Sequence, residues 1–152
     1  MPKTSRPAVG IEIKRLKPED IFEVHALWKE AGLPFKPEGR DALGIMGKEM
    51  RETETVLAGA YLGEALVGVV LATSESRKGW VNRLAVRPGY RNRGIAGKLV
   101  AYCEALFRGR GIGIVSILVE EENPDGLRFF KELGYEVRRD ITYLRKMLQE
   151  KW

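Results

Sequence analysis

Residues 80–119 read as a strand, a helix and a second strand joined by short turns, and that order forces two neighbouring strands to run parallel. Parallel neighbours need a crossover, and a helix of this length supplies one on a single face of the sheet. The surrounding sequence is of another kind. Residues 56–62 and 65–73 are strand-like runs on either side of Gly63-Glu64, which is the pattern of an antiparallel hairpin. The sheet must therefore be mixed. Residues 11–16 alternate apolar and polar, as a half-buried strand does. Pro18-Glu19-Asp20 opens a helix whose apolar positions Ile21, Val24, Leu27 and Trp28 fall at helical spacing, and Gly32 and Pro34 end it. A second helix is predicted over 38–54, weakened by Gly44 and Gly47, and a third over 93–108 with Ile95, Leu99, Cys103, Leu106 and Phe107 near one face. Residues 114–119 are almost continuously apolar, which predicts a central strand. A short helix over 124–133 has Asn123 as N-cap and Gly134 as its stop. Residues 135–138 and 141–148 are predicted to close the chain as a strand pair.

Composition narrows the classes. A chain of 152 residues predicts one domain, over residues 11–150, behind a polar leader at 1–10 expected to be flexible. One cysteine, Cys103, leaves no intramolecular disulfide, and with His25 as the sole histidine a metal site is not expected. No apolar run approaches the roughly 20 residues of a membrane span, and the start lacks a secretory apolar stretch, so a cytoplasmic location is expected. The net charge of +5 fits an anionic partner, either nucleic acid or a phosphorylated small molecule.

The turn between the strand at 80–86 and the following helix is an anion site by construction. Arg91-Asn92-Arg93-Gly94-Ile95-Ala96-Gly97 brings the free N–H groups of a helix start to a stretch kept bare by Gly94 and Ala96, with Arg91 and Arg93 as charged donors. Two better-known phosphate loops do not match. A P-loop would need a hydroxyl residue where Leu99 follows Gly97-Lys98, and the Gly-x-Gly-x-x-Gly dinucleotide pattern fits neither Gly94-x-x-Gly97 nor the cluster Gly109, Gly111, Gly113, which reads as a turn. No recognition helix or aromatic-interleaved basic patch supports nucleic-acid binding.

What matches is Leu84-x-Val86-x-Pro88 followed by Arg91-x-x-Gly94-x-Ala96, with a second block of Asn123, Phe130 and Gly134-Tyr135. Together with the element order over residues 11–150, these motifs resemble the GNAT superfamily of N-acetyltransferases, including its ribosomal-protein-alanine branch. The resemblance implies an α+β (mixed α/β) fold with a central sheet of about seven strands, a splayed parallel pair and about four flanking helices. It also implies acetyl-CoA as co-substrate without a metal. The CoA pyrophosphate would lie on the amides from Arg91 to Ala96, with Gly97 beside them. The pantetheine arm would pair with the backbone of Leu84, Ala85 and Val86, near Asn123 and Phe130. The implied activity is direct acetyl transfer to a primary amine of a small molecule or peptide. Homodimers are common in the superfamily.

The catalytic side chains depart from the family pattern. The family often has a tyrosine acid seven residues after the Asn, where this chain has Phe130. The branch's glutamate base would fall at Leu118, and carboxylates near the start of the fourth strand would fall at Trp80 and Asn82. Glu120, which shares strand parity with Leu118, and Asn82 are the substitute candidates for moving the amine proton. Tyr143 is a weaker candidate for the leaving sulfur. Without an evident acid or base, a non-catalytic acyl-CoA sensor is the alternative reading.

Overall fold

The computed structural model describes residues 10–152, so all of the predicted leader except Gly10 lies outside the described residues. The described residues form one five-stranded sheet in the order β1-β2-β3-β4-β5, comprising β1 (Ile11–Arg15), β2 (Val56–Leu62), β3 (Ala65–Ser74), β4 (Gly79–Val86) and β5 (Val115–Ser116). The first three pairings are antiparallel, and β4–β5 is parallel. Four α-helices flank the sheet: α1 (Ile21–Ala31), α2 (Leu43–Glu52), α3 (Ile95–Gly109) and α4 (Pro124–Glu132).

Two cores lie on opposite faces. Val56, Ala58 and Ala60 of β2 pack with α3 and Phe130, whereas Leu57 packs with α1 and Met46 of α2. This is the alternation of a strand buried on both sides. The parity breaks twice, each time at a bulge. In β3 the register shifts opposite Ala60/Tyr61, so Val67 and Val70 face the same core. In β4 Asn82 pairs with Leu71 and Ala85 with Val69, leaving Arg83 and Leu84 opposite Val70 alone. An extra residue of this kind bends a strand and re-aims its side chains. Val81 faces the α3 core before the bulge, Leu84 and Val86 face it afterwards, and Ala85 turns to the α1 side.

Two glycines let helix and sheet approach each other. A Cβ on Gly68 would press on Ile95 and Leu99 of α3, and one on Gly79 would collide with the Phe107 ring.

Three sequence expectations need correction. The second helix begins at Leu43, because residues 37–42 form turns organised around the buried Asp41. The run at 114–119 is an edge strand of two residues, not a central one, with Ile114 and Leu118 more than half exposed. The strand pair at 135–138 and 141–148 does not join the sheet, since Ile141, Tyr143, Leu144 and Leu148 all stay exposed. The described sheet therefore has five strands where about seven were expected. Alternating apolar residues favour a strand only where a sheet edge takes up their backbone groups and a core takes up one face.

Candidate active site

The parallel pair opens almost as soon as it forms. Gly79 pairs with Val115 and Trp80 with Ser116, the Gly79 amide donates to Ile114 at 2.9 Å, and no β5 residue pairs with β4 beyond that point. The edge of β4 from Val81 to Val86 therefore faces a gap with no strand partner. Backbone groups at such an edge need another partner, and an extended amide-bearing chain can supply it. Leu84 and Val86 pack their side chains on the α3 core, so only their backbone is available to a ligand. Ala85 is buried against the opposite core.

The open edge runs into the glycine-bearing turn. After a 3-10 turn at Pro88–Tyr90 the chain passes through two left-handed residues, Asn92 (φ 62°) and Gly94 (φ 76°). Gly94 caps α3 without a side-chain hydrogen bond. Ile95 anchors the helix start in the core, whereas Gly94 is exposed and an added Cβ on Gly97 would meet nothing. The first amides of α3, through Ile95, Ala96 and Gly97, have no intrahelical acceptor, and turns of this shape gather N–H groups into an anion-binding concavity. The arginines behave differently from one another. Arg91 donates from Nε to the Val86 carbonyl and from Nη2 to the Ala31 carbonyl, both at 3.3 Å, so it braces the turn against β4 and α1. Arg93 lies over the Tyr90 ring at 5.3 Å.

The second motif block is mainly structural. Asn123 accepts from the Gly126 amide at 2.9 Å as the N-cap of α4. Phe130 is 5% exposed and packs edge-on against Phe129 and Tyr135. The Tyr135 hydroxyl donates to Glu104 at 2.9 Å, and burial followed by that hydrogen bond raises its pKa well above the usual phenol range.

The proposed proton carriers are placed unequally. Glu120 is exposed in the turn before α4, where its carbonyl accepts from the Asn123 amide at 3.0 Å. The strand parity that selected it ends at Ser116 and does not reach it. Asn82 lies beside the β4 bulge on the α1 face, its Nδ2 donating to Thr73 Oγ1 at 2.9 Å and reaching the Leu71 and Trp80 carbonyls at 3.4 and 3.3 Å. Its amide nitrogen is thus committed, which leaves the side-chain oxygen. Tyr143 is exposed on the chain's last segment. Cys103 is fully buried, and burial followed by the nearby Glu104 pushes its thiol up to about 12, so it is inert.

One group was not legible in the sequence. The Arg83 guanidinium is within 2.8 Å of Asp41 Oδ2, also donates to the Pro34 carbonyl, and stacks 5.6 Å from the Trp28 ring. Burial lowers the arginine pKa and Asp41 opposes that shift. The only sequence signal was a charged residue inside a mostly apolar strand. Its partner lies 42 positions away. His25 belongs to the same neighbourhood, its Nε2 lying 2.6 Å from the Asp41 carbonyl and its ring against Trp28 and Phe35.

Among the described residues no helix is long and apolar enough to cross a membrane, and no group of three or more His, Cys, Asp or Glu side chains gathers to hold a metal. Comparisons with known proteins agree with the geometry. An acetyltransferase of Sodalis glossinidius (strain morsitans) is 28% identical over 140 residues, covering 92% of this chain and 97% of its own. The PaiA N-acetyltransferase of Thermoplasma acidophilum, solved with coenzyme A, superposes with a TM-score of 0.74 at 20% identity, over 84% of this chain and 91% of its own. An aminoglycoside acetyltransferase from an uncultured soil metagenomic sample, solved with sisomicin, gives 0.76 at 17% identity, over 92% and 97%. The model of the acetyltransferase (GNAT) family matches residues 21–135, which span the open edge, the turn and α4. The chain belongs to the GNAT family and is an acetyltransferase whose acyl donor is acetyl-CoA.

Proposed function

We propose that this enzyme transfers acetyl directly from acetyl-CoA to a primary amine of a small molecule or peptide. The observation that carries the reading is the opening of the β4–β5 pair directly beside the bare start of α3. The CoA pyrophosphate lies on the amides from Arg91 to Ala96, and the pantetheine arm pairs with the open edge at Leu84, Ala85 and Val86. Asn123 and Phe130 bound the pantetheine region through α4. A backbone N–H near Val86 polarises the thioester carbonyl.

Holding donor and amine together supplies much of the acceleration. The neutral amine nitrogen attacks the thioester carbonyl carbon, the C–S bond breaks, and the thiolate leaves. The amine proton passes to water ordered by the Asn82 side-chain oxygen, and water returns a proton to the thiolate. A thiolate is a fair leaving group, so this route needs no tyrosine acid at Phe130.

The test is thiol release from acetyl-CoA with and without a panel of amines: sisomicin, an alkyl diamine and a peptide with an N-terminal alanine. Release that rises with amine and yields the N-acetyl product is expected. CoA binding with no amine-dependent release across a wider amine panel would instead favour a sensor.

A further inference from the structure

Arg83 has φ 54°, a left-handed conformation that it shares with Asn92 alone among the described non-glycine residues. A long side chain in that region is disfavoured and persists where its surroundings fix it. Here they fix it on several sides. The Arg83 carbonyl accepts from Trp28 Nε1 at 3.3 Å, and its guanidinium holds both the Asp41 carboxylate and the Pro34 carbonyl. Asp41 is 3% exposed, and the oxygen that meets Arg83 also accepts the Lys36 amide at 2.7 Å. On the far side Gly39 is buried, and a Cβ there would run into the Lys151 carbonyl. The turn at residues 34–41 is thus tied to the β4 bulge by polar contacts and packed closely against the end of the chain at Gly39.

We propose that Arg83 and Asp41 are positioning residues for the amine acceptor: their ion pair sets the 34–41 turn against the β4 bulge, and that turn forms one wall of the amine pocket. The inference rests on the reading that the acetyl thioester lies along β4. A thioester on the open edge presents its carbonyl beside the bulge. The α3 core covers one face of β4 there, through Leu84 and Val86, and on the other face Trp28 of α1 lies against Arg83, so the amine reaches the thioester at the margin of that second face, beside Asn82 and the 34–41 turn. The residue that forms the bulge is also the residue that holds the turn, so a displaced turn displaces the wall and the bulge together. Arg83 and Asp41 neutralise each other, so the latch contributes shape rather than charge. Its loss therefore falls on the amine more than on CoA, of which only the pantetheine end adjoins the bulge.

The test uses Asp41→Asn, Arg83→Gly, Arg83→Lys and Gly39→Ala in the full chain, with the amine panel above and CoA as probes. Arg83→Gly leaves the left-handed backbone relaxed but strips Asp41 of its cation and Trp28 of its stacked guanidinium, so thermal unfolding is measured beside it to confirm a folded protein. Asp41→Asn and Arg83→Gly are expected to raise KM for the best amine about tenfold or more, since small misplacements of reactants are costly. The CoA Kd should rise by a clearly smaller factor, about threefold at most, because the pyrophosphate is held at the start of α3 and only the pantetheine contact at Leu84 adjoins the bulge. Arg83→Lys keeps the charge without the fork and should fall between. Gly39→Ala, which disturbs only the outer contact, should raise the amine KM less. Wild-type amine KM in folded Asp41→Asn and Arg83→Gly would overturn the proposal, as would an equal loss of CoA affinity. If the wild type acetylates no amine, the acceptor reading fails by itself. The latch is then judged by hydrogen exchange: faster exchange of the 34–41 amides in Asp41→Asn with α3 unchanged supports it, and unchanged exchange overturns it.

Discussion

The turn at residues 91–97 and the turn at 34–41 flank the same strand, β4, but are built from different materials. In the first, the groups offered to a ligand are amides, and the side chains either anchor the turn, as Ile95 does, or brace it, as Arg91 does. In the second, local hydrogen bonds to the Lys36 carbonyl close the turn, but what seats it against the rest of the fold is side-chain contacts reaching across the chain, from Arg83 to Asp41 and from His25 to the Asp41 carbonyl. A backbone site depends on local conformation, and a few glycines can specify it. A side-chain site depends on the finished fold. The donor end can therefore stay fixed across a family while the acceptor end changes with single substitutions.

The contrast can be broken where α3 sits on the sheet. Gly68 lies beneath Ile95 and Leu99, and Gly68→Val should destabilise the fold by about 1–3 kcal/mol through overpacking. It should also weaken CoA binding, because it lifts the helix start that carries the amides. Thermal unfolding together with CoA titration checks both, and lost stability with unchanged CoA affinity would detach the turn from the helix seat. A smaller effect is expected at Arg91. Its contacts run to carbonyls of Val86 and Ala31, so Arg91→Ala should cost about 1 kcal/mol of CoA affinity, as for one or two ordinary hydrogen bonds. A loss as large as that from disrupting the backbone would show the site to be side-chain built after all. Least is expected at Tyr135. Removing its hydrogen bond to Glu104 with Tyr135→Phe should cost at most about 1 kcal/mol of stability and leave turnover unchanged. A clear fall in turnover would give the Tyr135 hydroxyl a part in the reaction.

The same contrast explains what the sequence disclosed. Gly94, the arginines before it and the preceding strand specify the turn within a few residues, so the turn and the helix start were readable without any long-range information. The parallel pair was readable as well, since one crossover helix dictates it, whereas its splay was implied only by the family resemblance. The bulge at Arg83 was not, because it depends on the register with β3 and on Asp41, which lies 42 positions away. The length of β5 and the paths of residues 135–138 and 141–148 were misread for a related reason. Strand propensity records a preference for a pleated, half-buried surface, and whether one is available is decided elsewhere in the molecule. Glu120 shows the consequence at one residue: its assignment followed strand parity, and the strand ends at Ser116.

The account turns on the start of α3 holding the acyl donor, and calorimetric titration of CoA into wild type and Gly94→Asp tests this directly. Gly94 has φ 76° and is exposed at the cap of α3, so aspartate adds a carboxylate and a Cβ where the pyrophosphate is assigned. Losing two charge-assisted hydrogen bonds at about 1.5–3 kcal/mol each should weaken CoA by about 100-fold or more. Gly94→Ala, which brings the backbone strain without the charge, should lose much less. A folded Gly94→Asp protein that binds CoA as tightly as wild type would contradict the assignment.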